Sequence, residues 1–456
     1  MAYEEERAQA AAPPAQPTYD FAERCRLPGT ADNAAIAKDD VPAGTGIRQN
    51  ATTLRLRSTI LEGHRFALVP IAEGELITSW GEPFGRALRA IAAGEWLRNA
   101  NTLRVLRGRP QIADGVLDAA TQPNFANYTK PQPELTEAGF VPGPQPPLDA
   151  ARAARGFDGF ARGGGRGVGT RNYAVLLCVS SRASVVARAL ERRMAAEAGG
   201  ALDGVVALAH TEDGGVAADG AAAAAHNRTL LVRTLLGLLL HPNVGAALVI
   251  QTEADVAAAA AGAGVDYDAL AALAKASGRA EALADLPHAV FTLAALPFDE
   301  TLAAAEGALR PLLPAARAAT RSWAPPAELR VAQQCGGSDA FSGTCANPLV
   351  AEASRLLVVA GGSALLAETD ELIGAEEYVL RSVRDLPTAR RFLTMVGRFQ
   401  SYAAAHNCSA EGNPSGGNMY RGLYNIALKS LGAAMKRHPD VRLEHVIEYA
   451  EPLPPP

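Results

Sequence analysis

The sequence predicts an α/β protein with a mainly parallel sheet and flanking helices in two sub-halves, preceded by a small β-rich domain. Three observations support this fold class. Short apolar runs separated by glycine turns occupy residues 26–110, a segment rich in Pro and Gly spans 111–165, and apolar strands then alternate with helical segments. Such alternation is typical of a parallel sheet whose faces are covered by helices. A chain of 456 residues is long enough for two or three domains with their own cores.

The N-terminal part of the chain divides into three segments by composition. Residues 1–25 are rich in Ala, Pro and Glu, which predicts a disordered lead-in. Residues 26–110 form the predicted β-rich domain, because apolar runs such as 66–69 lie between turn signals. Four of these turns contain a glycine: Gly44, Gly63, Gly74 and Gly94. The Pro- and Gly-rich residues 111–165 are predicted to be a linker on which the β-rich domain can swing.

The remainder of the chain is predicted to form two α/β halves. In the first half, 166–310, the pattern predicts strands at 174–179, 204–209, 246–250 and 289–293, and helices at 183–197 and 219–240. A Pro-rich break at 312–326 precedes the second half, 327–456. The Gly-rich string 163–170 is not a dinucleotide fingerprint, because it precedes a strand instead of following one.

The second half opens with the string QCGGSDAFSG, residues 334–343. An apolar run enters it and a segment with apolar residues at helical spacing leaves it, which predicts a strand, a glycine-rich turn and a helix. Backbone N–H groups at such a turn can face an anion at the helix N-terminus. Four polar side chains crowd the same turn: Cys335, Ser338, Asp339 and Ser342. A tight turn with capping residues explains the local string equally well.

Further motifs follow QCGGSDAFSG in a fixed order. They are Ala346-Asn347-Pro348, GGSALLAET at 361–369 with Glu371, Gly374-Ala375-Glu376, Asn413-Pro414-Ser415 with Gly417-Asn418, and KSLGA at 429–433; GVGTRNY lies upstream at 167–173. Together these strings resemble the altronate/galactarate dehydratase family of hydro-lyases. The resemblance implies an N-terminal SAF-type β-clip domain at 26–110. It also implies a carbon–oxygen lyase that eliminates water from a sugar acid or related hydroxy acid, giving a 2-keto-3-deoxy acid with the help of divalent iron.

The resemblance suggests which side chains form the site. The catalytic candidates are His210, Asp339 and Cys335, and the substrate-binding candidates are Thr170, Arg171, Asn172, Gly336, Gly337, Ser338, Ser342, Asn413, Ser415 and Asn418. Each has a structural alternative. His210 can be a hydrogen-bonding residue after a strand, although Glu212 and Asp213 follow it, and Arg171 can form an inter-domain ion pair instead of clamping a carboxylate. Cys335 can be a buried thiol, and the Asn and Ser residues can serve turns. Lys429, on a predicted amphipathic helix, is expected to face solvent.

The sequence also departs from the family pattern. The family's His-x-His-Asn element falls on Arg98-Asn99-Ala100-Asn101, its Asn-Cys-Ser element on 181–183, and its Gly-Cys-Glu element near 253–255; the cysteine after His210 is absent as well. Family members also extend by roughly another hundred residues, about one subdomain. The metal ligands are therefore left unassigned. The alternative hypothesis is a catalytically degenerate member that serves as an acid-binding, regulatory or partner subunit, as a homo-oligomer or beside a complete homologue.

Charge and cysteine content exclude several other classes of function. The net charge of −5 offers no basic surface for nucleic acid or an anionic membrane, and no apolar run approaches a membrane span. The five cysteines are never spaced C-x-x-C, which disfavours a zinc cluster or a disulfide framework. The acidic N-terminus lacks the core of a signal peptide. These features predict a cytoplasmic protein whose ligand is a small hydroxy acid.

Overall fold

The computed structural model describes residues 17–109, 116–117, 120–212 and 221–454, which fold into two compact units. The described residues up to 147, with 331–358 and 364–446, form unit 1; residues 148–330, 359–363 and those from 447 on form unit 2. Most of the predicted lead-in lies outside the described residues. Its last part is ordered structure, since a strand occupies Thr18–Asp20 and a helical turn occupies Phe21–Arg24.

Strands dominate the first part of the described chain, and helices dominate its last part. In chain order, the strands are β1 Thr18–Asp20, β2 Cys25–Arg26, β3 Ala34–Ala37, β4 Gly46–Gln49, β5 Thr52–Arg55, β6 Arg65–Ala67, β7 Leu76–Ser79, β8 Glu82–Ala87, β9 Phe125–Asn127, β10 Phe157–Arg162, β11 Gly167–Gly169, β12 Tyr173–Cys178, β13 Gly204–Leu208, β14 Val244–Thr252, β15 His288–Leu293, β16 Ser322–Ala324, β17 Arg330–Gln333 and β18 Ser363–Leu366. The helices are α1 Phe21–Arg24, α2 Ala100–Arg107, α3 Ala150–Ala153, α4 Ser184–Arg193, α5 Ala221–Leu239, α6 Glu253–Ala260, α7 Tyr267–Ala276, α8 Ala280–Asp285, α9 Phe298–Leu309, α10 Leu313–Arg317, α11 Asn347–Val359, α12 Glu376–Leu380, α13 Leu386–Ala405, α14 Gly416–Tyr420 and α15 Ile426–Ala434.

The N-terminal part of unit 1 is the β domain that the sequence predicts. Its strands form three small sheets with the orders β1-β4-β5, β2-β3-β6 and β7-β8-β9. All four predicted glycine turns have a positive φ, in the region that glycine adopts most readily. At Gly94 a side chain is excluded for a second reason, because an added Cβ would lie 2.2 Å from the carbonyl oxygen of Arg55. The turn signals in the sequence therefore fix where these strands end.

A segment more than 290 residues further along the chain completes the core of this β domain. Leu423, Tyr424, Ala427 and Leu428 belong to the same buried cluster as residues of β3, β6, β7, β8 and β9. The ring of Tyr424 stacks on Phe84 at a centroid distance of 6.4 Å. Instead of swinging on a linker, the β domain therefore shares one core with the C-terminal part of unit 1.

A chain of buried hydrogen bonds joins the same two segments. The backbone N–H of Arg65 donates to the Tyr424 hydroxyl at 2.8 Å, and that hydroxyl lies 3.3 Å from Nδ1 of His64. Nε2 of His64 lies 2.9 Å from the carbonyl oxygen of Tyr420. Because a carbonyl oxygen can only accept, Nε2 carries the imidazole hydrogen and Nδ1 accepts from the tyrosine. Burial lowers the pKa of His64 to about 4, so the ring is neutral at pH 7.

Unit 2 contains the predicted parallel sheet. Its four strands have the order β13-β12-β14-β15, and every neighbouring pair is parallel. The observed strands match the predicted ones within two residues at each end, and the predicted helices at 183–197 and 219–240 correspond to α4 and α5. Buried aliphatic residues of β12 and β14 pack on both faces of the sheet, which is why these strands read as continuous apolar runs.

The structure also differs from the sequence-based description. Strands β9 and β10 lie inside the predicted linker, where the Gly- and Pro-rich composition conceals them. The predicted second α/β half is mainly helical, with only the two-stranded sheet β17-β18 among its described residues. The α/β class itself is confirmed, and the parallel sheet lies in the first half. None of the described helices has the length and apolar character that crossing a membrane requires.

The buried neutral His64 makes stability depend on pH. Its folded-state pKa, about 4, lies below the ordinary value of 6.5. Between these values the unfolded chain binds a proton that the native chain does not, so stability falls as pH falls, by at most about 1.4 kcal/mol per pH unit. We expect His64→Asn to reduce this slope between pH 6.5 and 4, as measured by urea unfolding across that range. The matched control is His406→Asn at an exposed position. Equal slopes for both variants would contradict the assignment.

Candidate functional site

The signature string QCGGSDAFSG forms the predicted strand, turn and helix in unit 1. Strand β17 ends at Gln333, a π-helical turn occupies Ser342–Ala346, and α11 follows. Oδ1 of Asp339 accepts hydrogen bonds from the backbone N–H of Phe341 at 3.0 Å, and from the backbone N–H and hydroxyl of Ser342 at 2.7 and 2.8 Å. The N–H groups of Phe341 and Ser342, which could have faced an anion, are therefore already occupied by Asp339.

The two glycines that precede Ser338 and Asp339 in the signature string are exposed to solvent. Gly336 and Gly337 are exposed, and neither has a positive φ. A Cβ added at either position would meet no described atom within 4 Å. Neither backbone conformation nor contact with described neighbours therefore requires glycine at these positions. What two adjacent glycines provide is a bare stretch of backbone that a ligand can approach closely.

A buried cluster of charged groups contacts this turn through Cys335. Nζ of Lys436 lies 3.1 Å from the Cys335 sulfur and 3.5 Å from Oε2 of Glu371, and Nζ of Lys429 lies 3.4 Å from Oε1 of the same carboxylate. The side chains of Lys436, Glu371 and Lys429 are 2, 6 and 11% exposed. Two ammonium groups thus share one carboxylate. We call Cys335, Glu371, Lys429 and Lys436 the lysine cluster.

Glu368 lies beside the lysine cluster in a strained backbone conformation. Its φ of 68° and ψ of 88° place a non-glycine residue in the left-handed region. Gln334 donates a hydrogen bond to Oε1 of its carboxyl group, and Oε2 is buried with no hydrogen-bond partner among the described groups. Burial and the nearby Glu371 raise the pKa of Glu368, while Gln334 and Lys436 oppose the shift.

The predicted polar residues at 413–418 are close to the same site. Lys429 donates to Oδ1 of Asn413, and Nδ2 of Asn418 donates to the carbonyl oxygen of Ser338 at 2.8 Å. Ser415 and Asn418 also form a capping box at the start of α14. Asn418 therefore connects the signature loop to α14, while Asn413 contacts the lysine cluster directly. The hydroxyl oxygen of Ser338 is buried without a hydrogen-bond partner among the described groups.

The remaining predicted site residues lie in unit 2. Both ring nitrogens of His210 contact backbone: Nε2 lies 2.9 Å from the carbonyl oxygen of Cys178, and Nδ1 accepts from the N–H of Glu212 at 3.2 Å. Arg171 is 60% exposed and contacts Asp203 at 3.4 Å within the same unit. Asn172 is buried and Thr170 is exposed. Asp213, which the sequence groups with His210, lies outside the described residues. The roles assigned to these residues in unit 2 stay predictions.

The donors present do not fit the iron site that the family resemblance implies. Among the described residues, no three His, Cys, Asp or Glu side chains converge as a metal ion needs. In the lysine cluster, the Lys436 ammonium group lies 3.1 Å from the Cys335 sulfur and 3.5 Å from Oε2 of Glu371, so both potential ligands already contact a cation. In unit 2, Arg182 stands where the family pattern has a cysteine, and it pairs with buried Asp255 at 2.9 Å. Cationic side chains thus occupy positions beside these potential ligands.

Sequence reasoning misses the main part of this site. It does not single out Lys436, and it predicts that Lys429 faces solvent, whereas the Lys429 side chain is 11% exposed. The available signal is their spacing of seven residues, which predicts one helical face, although α15 ends at Ala434 and Lys436 lies in the turn that follows it. That spacing cannot by itself identify partners such as Cys335, which lies about a hundred residues earlier.

The lysine cluster predicts how fast each cysteine reacts. Burial raises the pKa of the Cys335 thiol, and Lys436 partly opposes that shift. We therefore expect iodoacetamide at pH 8 to modify the exposed Cys345 and Cys408 before Cys335, as followed by peptide mass spectrometry. Replacing Lys436 by Met should raise the Cys335 pKa further and slow its modification. The control is Lys429→Met, which leaves the Cys335–Lys436 contact in place. Modification of Cys335 as fast as Cys345 would contradict the geometry.

Comparison with known proteins places the chain in one family. Three family profiles match in order: altronate/galactarate dehydratase SAF domain at 29–104, D-galactarate dehydratase/altronate hydrolase second domain at 159–317, and D-galactarate/altronate dehydratase C-terminal at 326–456. Altronate dehydratase of Escherichia coli (strain K12) is 31% identical over 93% of this chain and 76% of its own length. Galactarate dehydratase (L-threo-forming) of the same organism is 30% identical over 89% and 70%. The subunit beta of (2R)-sulfolactate sulfo-lyase from Chromohalobacter salexigens is 30% identical over 65% and 68%. The chain belongs to the altronate/galactarate dehydratase family.

Proposed function

We propose that this protein is a dehydratase that eliminates water from a sugar acid, or a related hydroxy acid, to give a 2-keto-3-deoxy acid. The observation that carries the proposal is the lysine cluster, which lies against an open glycine turn. Two ammonium groups, those of Lys429 and Lys436, lie within 3.5 Å of the Glu371 carboxylate. Such a cluster attracts a small carboxylic acid, and the bare backbone of Gly336 and Gly337 lets that acid come close.

The chemistry of the reaction explains why fixed cations are useful. Removing the proton next to a carboxylate places additional negative charge on the carboxylate oxygens. Ammonium groups that are already held in place stabilise this charge without reorganising. Lys436 is held by Glu371 and Cys335, whereas Lys429 is more exposed and contacts Asn413. We assign Lys429 to binding the acid and Lys436 to stabilising the charge that develops.

The family relationship supports the choice of substrate class. Two relatives are named for altronate and galactarate, both polyhydroxy acids, so these are the first acids to test. Another relative is named as a subunit beta, and this supports testing whether the chain assembles with itself or with a second subunit. Divalent iron, which the resemblance implies, has no fitting set of donors among the described residues, and the proposed steps use the side chains alone.

The proposal is tested by measuring 2-keto acid release from altronate and galactarate, with and without added ferrous iron. We expect Lys429→Gln to lower kcat/KM by about 10–100-fold, because it removes a charge-assisted contact worth about 1.5–3 kcal/mol. The matched control is Lys275→Gln on the exposed face of α7. Absence of keto acid under all conditions, or equal activity of Lys429→Gln and Lys275→Gln, would contradict the proposal.

A further inference from the structure

We propose that Glu368 is the catalytic residue that carries the proton in this elimination. The inference depends on the proposed function, because it names the group that performs the step. Glu368 does not belong to the signature string QCGGSDAFSG, and its role follows from three features of its surroundings. These features are its backbone conformation, the hydrogen-bond partners of its carboxyl group, and the structural contacts that already engage the other acid–base candidates at the site.

The backbone conformation at Glu368 is energetically unfavourable. A glutamate at φ 68° and ψ 88° is disfavoured by contact between its Cβ and the backbone, and glycine would remove that contact. Such strain persists where surrounding interactions hold the residue, and it is concentrated at functional sites. At Glu368 the neighbouring interaction is the hydrogen bond from Gln334, the first residue of the signature string. The strain is explained if the carboxyl group is needed at this position.

The carboxyl group of Glu368 is only partly engaged. Oε1 accepts from Gln334, whereas the buried Oε2 has no hydrogen-bond partner among the described groups. Burial and the Glu371 carboxylate both favour the protonated form and raise the pKa of Glu368. A carboxyl group with one buried oxygen that no described donor reaches, lying against a second carboxylate that raises its pKa, is suited both to accept and to return a proton.

The other acid–base candidates at the site already have structural contacts. Glu371 is paired with Lys429 and Lys436, and Oδ1 of Asp339 caps the turn at 341–342. The Cys335 sulfur contacts the Lys436 ammonium group. Among the described acidic side chains of this site, Glu368 is therefore the one whose strain and buried oxygen lack a structural explanation.

In the proposed step, a single carboxyl group both takes up and returns the proton. The Glu368 carboxylate takes the proton from C2 of the acid, and the electron pair of that C–H bond forms the C2–C3 double bond. The C3–O bond breaks, and the departing hydroxide takes the proton from Glu368 and leaves as water. The resulting enol converts to the 2-keto acid by moving a proton from oxygen to C3. Glu368 ends as a carboxylate, ready for the next molecule.

The test compares two substitutions at Glu368. We expect Glu368→Gln, which is nearly isosteric, to lower kcat at least about 100-fold, since general acid–base groups contribute about 10²–10⁴-fold. Its KM and the rise in melting temperature on adding the acid should stay close to those of the unmodified protein. We expect Glu368→Gly to be equally inactive and to melt at a higher temperature. Added formate should restore part of its activity by replacing the missing carboxylate.

Ala450→Gly is the matched control for strain. Ala450 is exposed and has a φ of 54°, so this variant should also gain thermal stability while its activity stays unchanged.

Full activity of Glu368→Gln would overturn the assignment of Glu368 alone and leave the proposed function intact. Loss of activity in Glu368→Gly with a lower melting temperature and no rescue by formate would show a structural role and overturn the assignment. Absence of turnover by the unmodified protein on every acid would overturn the proposed function and the assignment together.

Discussion

The burial of Tyr424 is the interaction on which unit 1 depends. Its ring completes the core of the β domain, and its hydroxyl group joins the buried Arg65 and His64. The same stretch of chain continues into α15, which carries Lys429, and ends near Lys436. Packing the β domain against this segment therefore also fixes the position from which the two lysines reach the signature loop. The β domain and the candidate site are parts of one folded unit, although they are distant in sequence.

Burying the lysine cluster has an energetic cost that constrains its geometry. Ammonium and carboxylate groups lose hydration when they are buried, and their mutual attraction offsets this loss only if each has close partners. Glu371 has two such partners, and Lys436 contacts both Glu371 and the Cys335 sulfur. Removing Glu371 would leave the buried Lys436 ammonium group without its carboxylate partner. These contacts hold the ammonium groups in place, and charges that are already in place stabilise developing charge efficiently.

The sequence predicts the features that depend on local patterns. Apolar strands alternating with helices identify the parallel sheet of unit 2, and turn glycines such as Gly63 and Gly94 identify the ends of strands in the β domain. Prediction from the sequence fails where contacting residues are far apart in the chain. Cys335 contacts Lys436 across about a hundred residues, and Tyr424 completes a core that begins at Ala34. No local period encodes such contacts, and the Gly-rich composition around β10 conceals a strand.

The signature residues separate into two groups once their contacts are known. Asp339, Ser415 and Asn418 cap helical turns or join loops, so the fold itself explains why these residue types are present. The backbone conformation at positions 336 and 337 does not require glycine. At position 368 the backbone would be less strained if glycine replaced the glutamate. The family motif by itself does not distinguish residues that the fold requires from residues that it does not require. The structure distinguishes them, because the described fold gives no reason for glycine at 336 and 337 and penalises a glutamate at 368, whose buried Oε2 also has no hydrogen-bond partner among the described groups.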